Sequence, residues 1–171
     1  MRIWGEIAQK KENLILLIVG PDGQEAADCS GEIREYIRKN RLEDRIWMTG
    51  GVSNIEDYLR ASDFFVFPSQ GGEGCSNGTI EAMACGLPVV TTRATGIVDI
   101  VNDETALTVD PQDFEGFRKA ILKILKDGNL RKALGQAGAS RARELFSPGK
   151  VSSQHVQILR ALCNGCNSTS K

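Results

Sequence analysis

Histidine is all but missing from this chain: His155 is the only one in 171 residues. It falls on an amphipathic stretch with no partner nucleophile or set of metal ligands nearby, so it reads as structural or exposed rather than catalytic. Cysteine is sparse and odd in number, at Cys29, Cys75, Cys85, Cys163 and Cys166. With no secretory signal in view, reduced thiols are the expectation. Cys163 and Cys166 form a CxxC pair, but without a second pair or a nearby histidine they cannot close a tetrahedral zinc site. No metal site is expected.

Other absences narrow the reading further. No segment approaches the roughly 18 to 20 apolar residues of a membrane span. The opening "MRIWGEIAQKKENL" lacks the apolar core of a secretory signal, so the expected compartment is cytoplasmic. Neither charge sign dominates, with 21 Lys and Arg against 22 Asp and Glu and a net charge of −1. That balance excludes a general electrostatic grip on nucleic acid, while leaving a local basic patch open. Two phosphate motifs are missing as well. A Walker loop needs a lysine after its last glycine, and "CSNGT" has none. A dinucleotide fingerprint needs GxGxxG; "GEGCSN" supplies Gly72 and Gly74 but has Asn77 in the third place. A plain NAD-binding domain is therefore disfavoured.

What is present is an ordinary globular composition, 41% hydrophobic and 25% charged, in a chain of single-domain size. Apolar runs alternate with amphipathic stretches. "NLILLIVG" (13–20) is the continuous run of a strand buried on both faces. "PDGQ" turns the chain, and "EAADCSGEIREYIRKN" reads as a helix. "RIWMTGGV" (45–52) is a shorter strand, and Asn54 is a helix cap ahead of "IEDYLRAS". "DFFVFPS" (63–69), "LPVVTT" (87–92) and "ALTV" (106–109) are further strands. From Asp113 the pattern is helical, with Ser147 and Pro148 as a cap and first-turn proline. Residues 163–171 read as a disordered tail, leaving 1–162 as one domain. Strands alternating with helices predict an α/β fold with a parallel sheet, whose sites lie beyond the carboxyl ends of the strands.

One loop stands at such an end. "GGEGCSNGTIEAMACG" (71–86) gathers five glycines, a Ser-Asn pair and two glutamates where a strand gives way to a helix. A helix N-terminus offers unpaired N–H groups and a positive dipole end to phosphate. Ser76, Asn77, Gly78 and Thr79 stand where that helix begins. Gly78 allows close approach to the backbone, and the Ser76 and Thr79 hydroxyls are further donors. Glu73 and Glu81 repel phosphate, so their targets are uncharged hydroxyls on either side of it. A ligand ordered sugar, phosphate bridge, sugar fits, and a nucleotide sugar has that form. Read singly, either glutamate is a dipole partner or a solvated residue.

The stretch "FPSQGGEGCSNGTIEAMACGLPVVTT" resembles the donor-binding signature of the retaining GT-B glycosyltransferases of family four, also called group one. In that signature a Glu is followed after seven residues by a second Glu and an "EAMACG-PVV" run. "LLIVGPDG", "RIWMTGGV", "YLRASDFFVFPS" and "LRKALGQAGASRARELFS" follow the family's pattern in order, over roughly residues 1 to 160. The resemblance implies a Rossmann-like fold, the C-terminal half of a two-domain enzyme that moves a hexose from a nucleotide sugar to an acceptor hydroxyl. It implies retention of anomeric configuration and no metal or other cofactor. Glu73 would contact the donor sugar as the catalytic residue and Glu81 would hold the ribose hydroxyls. Backbone from Gly74 and Cys75 to Thr79 would meet sugar and diphosphate, and Gly51, Val52 and Ser53 would lie near the base. The main catalytic task is to stabilise charge on the leaving diphosphate.

The chain departs from the family in places. Thr95 and Asp99 in "ATGIVDI" stand for a glycine and an acidic residue of a "GG-x-x-E" element, and Ala106 replaces a common glycine. More is missing than altered: the acceptor-binding N-terminal domain, and the first strand of this domain with the basic pair that follows it. In the strand order 3-2-1-4-5-6 that strand is central. Strands "ILLIVG" and "FFVFPS" must then pair directly or leave bare edges. A fragment or truncated paralogue is expected, and a non-catalytic nucleotide-sugar-binding module is the alternative. Arg93, after a strand end, is either donor-facing or a surface residue. The basic run "RKALGQAGASRAR" is read as a solvated helix face, with peripheral association at the inner face of a membrane left open.

Overall fold

The computed structural model describes residues 1–21, 29–71 and 74–166. The apolar runs form five short parallel strands: β1 (Leu16–Val19), β2 (Ile46–Gly50), β3 (Phe65–Phe67), β4 (Val89–Thr92) and β5 (Ala106–Val109). They do not join into one sheet. β1 pairs with β2 and β3-β4-β5 form a second sheet. Between the two outcomes set by the sequence, direct pairing or bare edges, the fold takes the second. Registers are Leu16 opposite Ile46 in the first sheet, and Phe65 opposite Val89 opposite Ala106 in the second.

Seven helices are described: α1 (Arg2–Ala8), α2 (Ser30–Lys39), α3 (Ile55–Arg60), α4 (Asn77–Ala84), α5 (Phe114–Lys126), α6 (Gly128–Phe146) and α7 (Pro148–Cys166). They cover both faces of the second sheet, so every residue of β4 is buried. The side-chain alternation of a strand assigns the two faces. Val90 joins a core with Phe117, Ile121 and Ile124 of α5, which extends to Trp4 and Ile7 of α1 and Ile46 of β2. Val89 joins a second core with Met83 of α4, Ile97, Ile100 and Ala142 of α6. One layer thus spans both sheets through α1 and α5.

Local chemistry fixes the helix ends. Asp113 caps α5 by accepting from the Gly116 N–H at 2.8 Å, and Asp127 caps α6 by accepting from Leu130 N–H at 2.9 Å. Arg131 folds back to donate to the carbonyls of Ile124 and Leu125, satisfying the open end of α5. Gly86 ends α4 with φ +79°, a backbone state that only glycine adopts freely.

Two expectations are corrected. Asn54 does sit at the N-cap of α3, but its side chain donates to the Asp57 carboxylate instead of accepting from the backbone. The segment read as a tail from residue 163 is helical through Cys166. No proline interrupts α7 after Pro148, so its backbone ladder continues past the last apolar repeat. The remaining tail, 167–171, and the first part of the helix read over 25–40 lie outside the described residues.

Candidate functional site

β3 ends at Phe67, and the chain crosses the top of the second sheet before entering α4 at Ser76. Threonines at the end of β4 hold this crossing in place. Thr91 Oγ1 donates to the Phe67 carbonyl at 2.8 Å, and the buried Thr92 Oγ1 donates to the Ser69 carbonyl at 2.6 Å. Gln70 Nε2 reaches the Pro111 carbonyl at 3.0 Å, tying the same loop to the end of β5. These positioning residues escaped the sequence reading. Their one signal is a pair of threonines closing an otherwise apolar strand, "PVVTT", where a buried hydroxyl must find an acceptor.

The start of α4 is built differently from the expectation. Ser76 is the N-cap, and its hydroxyl accepts from the Thr79 N–H at 3.4 Å. The Ser76 and Thr79 hydroxyls also bond each other at 2.9 Å, and both side chains are buried. Those hydroxyls therefore order the helix start rather than face solvent. What the helix offers outward is backbone. Among the described residues the N–H groups of Asn77 and Gly78 have no acceptor, and no acidic residue occupies the first turn. That is the polarity of an anion site.

Gly78 bears on this. A Cβ there would meet Phe65 at 3.7 Å, an ordinary contact, and at Gly74 it would meet nothing within 4 Å. Protein packing thus demands glycine at neither position. Their small size leaves the outer side of the helix start open to an approaching group. Gly74, Cys75 and Asn77 are exposed and Gly78 is half-buried.

Glu81 lies one turn further in, exposed, and its carboxylate has no hydrogen bond or ion pair among the described residues. Glu73, the residue given the catalytic role, lies outside the described residues. Gly51 is exposed and Val52 half-buried, just past the carboxyl end of β2. A Cβ on Gly51 would touch Pro21 at 3.5 Å, so this turn stacks on the end of β1. Both groups of predicted residues therefore lie beyond carboxyl ends of parallel strands, one on each sheet. Arg93 is drawn off to Asp110 and Asp103, at 3.5 and 3.9 Å, as a half-exposed surface pair. His155 is exposed, with Nδ1 against the Val151 carbonyl of its own helix. Among the described residues no cluster of His, Cys, Asp and Glu could hold a metal ion.

Known proteins resemble this chain in sequence and fold. The chain is 32% identical over 143 residues to the capsular polysaccharide biosynthesis glycosyltransferase CapM of Staphylococcus aureus, covering 82% of this chain and 36% of CapM. It superposes on sucrose-phosphate synthase from Thermosynechococcus elongatus with a TM-score of 0.82 at 30% identity, over 95% of this chain and 42% of the synthase. The Anabaena protein HepE, solved in complex with UDP, superposes with a TM-score of 0.84 at 22% identity, over 94% and 45% of the two chains, a likeness of fold. This chain spans less than half the length of each. The family described as glycosyl transferases group 1 matches residues 1–127, and the chain belongs to that family.

Proposed function

We propose that this chain is the nucleotide-sugar-binding part of a retaining hexosyltransferase, and that transfer requires an acceptor-binding domain outside this sequence. One observation carries the reading: an unacidified helix N-terminus with free N–H groups at Asn77 and Gly78, followed one turn later by the unpartnered carboxylate of Glu81. The N–H groups suit a diphosphate, and the carboxylate suits a pair of neighbouring ribose hydroxyls. Glu73 is assigned the donor hexose and the catalytic role, Gly74 to Thr79 the sugar and diphosphate through their backbone, and Gly51 and Val52 the base. The reaction is read as needing no metal or other cofactor.

The relative CapM is described by its role in capsular polysaccharide biosynthesis, and HepE was solved with UDP. A polysaccharide precursor as acceptor and a uridine nucleotide as donor are accordingly the first candidates here. The cytoplasm, including the inner face of a membrane, is the proposed location. Among the described residues no helix is long and apolar enough to cross a membrane.

Calorimetric titration with UDP-, GDP- and ADP-sugars tests the reading. One nucleotide is expected to saturate a single site, and Glu81→Gln is expected to weaken it at least about tenfold, the cost of a lost charge-assisted bond. Absence of binding to all three by the folded chain overturns the proposal. The alternative, a binding module without catalysis, is favoured by binding that persists with no hexose transfer when the acceptor domain is supplied.

A further inference from the structure

Asn77 is the first residue of α4, and Gly78 follows it. An asparagine followed by glycine carries a chemistry of its own. The backbone nitrogen of the second residue can attack the side-chain amide carbon of the first, and glycine, with no Cβ, leaves that nitrogen unshielded. Folded chains usually suppress the reaction, because the attacking N–H is hydrogen-bonded or the side-chain amide is held by partners. Neither restraint operates here. The Asn77 side chain is exposed and has no hydrogen bond among the described residues. The Gly78 N–H likewise has no acceptor there, because the first-turn amides of a helix lie ahead of its ladder. Turning the Asn77–Gly78 peptide into line for attack therefore breaks no bond of that N–H. The one helix bond at stake is the one that the Asn77 carbonyl accepts from the next turn, and opening at a helix terminus costs little beside global unfolding.

We propose that Asn77 is a site of spontaneous deamidation, and that the product weakens anion binding at the start of α4. The Gly78 N–H gives its proton to hydroxide, and the nitrogen bonds to Asn77 Cγ. The Cγ–Nδ2 bond breaks, and Nδ2 takes a proton from water and leaves as ammonia, closing a five-membered succinimide. A second water opens the ring at either carbonyl. Opening at Cγ leaves aspartate. Opening at the Asn77 backbone carbonyl leaves isoaspartate, with the main chain rerouted through the former side chain. Water is the only co-reactant, and nothing is oxidised or reduced.

Either product places a carboxylate in a helix turn that now holds no acidic residue. The new charge offsets the positive end of the helix dipole and repels phosphate oxygens. It also stands one turn ahead of Glu81, at the i, i+4 spacing where like charges repel. This consequence rests on the donor-site reading, whereas the modification itself does not. A bound diphosphate accepts from the Gly78 N–H and so occupies the attacking nitrogen, which makes the unliganded chain the form that converts fastest.

The test incubates the whole chain at neutral and at mildly alkaline pH and follows digests by mass spectrometry, with aspartate and isoaspartate peptides separated by chromatography. Conversion of Asn77 to both acids is expected, faster at the higher pH. Gly78→Ala is expected to slow it at least about tenfold, since a Cβ shields the nitrogen and meets Phe65 only at an ordinary contact distance. An Asn77 that stays intact in the folded chain while the urea-unfolded chain converts it overturns the proposal. So does aspartate formed without isoaspartate. Asn77→Asp reads the consequence, with inorganic pyrophosphate as the probe. Its binding is expected to fall at least about tenfold, while Tm stays within about 2 °C because the dipole gain and the Glu81 repulsion oppose each other. Equal pyrophosphate binding by Asn77→Asp and the parent overturns the loss of anion binding. A parent that binds no pyrophosphate overturns it through the donor-site reading, and the mass result still decides the modification.

Discussion

Ser76 and Thr79 show how a residue's local role constrains what it can do for a ligand. Each hydroxyl is buried, and each has the other as partner. Ser76→Ala removes an N-cap and leaves the Thr79 hydroxyl buried without its bond. The expected loss is about 1 kcal/mol for the cap and a further 1–3 kcal/mol for the stranded hydroxyl. At about 2–4 °C per kcal/mol for a chain of this size, a drop in Tm of several degrees follows, readable by circular dichroism. Glu81→Gln is the opposite case. Its carboxylate has no hydrogen bond or ion pair among the described residues, so its stability is expected within about 0.5 kcal/mol of the parent while nucleotide binding falls. A large stability loss in Glu81→Gln would show the carboxylate to be structural. A thermally silent Ser76→Ala would show that the hydroxyl pair does not order the helix.

The packing of α4 on α6 depends on Gly135. A Cβ at that position would run into the Gly86 carbonyl at the end of α4, a backbone atom with little room to yield. Inside an exposed helix, Gly→Ala gains roughly 0.5–1 kcal/mol. Here Gly135→Ala is expected to lose about 1–3 kcal/mol through overpacking. Gly149→Ala is the control, because a Cβ there meets nothing within 4 Å. Urea denaturation of the two variants checks the sign of each. The same pair shows what a sequence does and does not display. The strands were legible because continuous apolar runs such as "PVVTT" and "LLIV" mark them, although the burial on both faces expected of "LLIV" is only partial, β1 being half-buried throughout where β4 is fully buried. The α4 stop was legible because Gly86 precedes a proline by two. Gly135 within "LRKALGQAG" looks like any weak helix position, since its reason is a carbonyl 49 positions away in the chain. The Asn54 cap failed for a related reason: Asp57, three residues on, competes for the side chain at 2.8 Å. At the site, the positions of the loop and of the α4 start beyond the end of β3 were legible. The mutual bond of Ser76 and Thr79 was not, because a hydroxyl's burial depends on what packs over it.

Stability is unevenly divided across the molecule, and the division follows from the bare edges. β4 is central in its sheet, fully buried and flanked by paired strands on both sides. β1 and β2 make only a two-stranded ladder, with residues mostly half-buried and no further strand neighbour among the described residues. Pairs of strands are marginal without a third strand or a helix against them, and here α1, of seven residues, belongs to the shared core. Local opening free energies should therefore differ: the ladder amides of β4 open only with global unfolding, whereas those of β1 and β2 open in a smaller cooperative unit. Hydrogen exchange on the chain alone is expected to give Leu16 and Ile18 rates at least about tenfold faster than Val90 and Thr92, a gap of about 1.4 kcal/mol in opening. Equal protection in both sheets would mean that α1 and α5 already bind them into a single cooperative unit. Faster exchange in the first sheet would instead locate the weak point beside the turn at Gly51 and Val52. The part of the proposed donor site assigned to the base would then be the part carried by the less stable sheet, just past the end of β2.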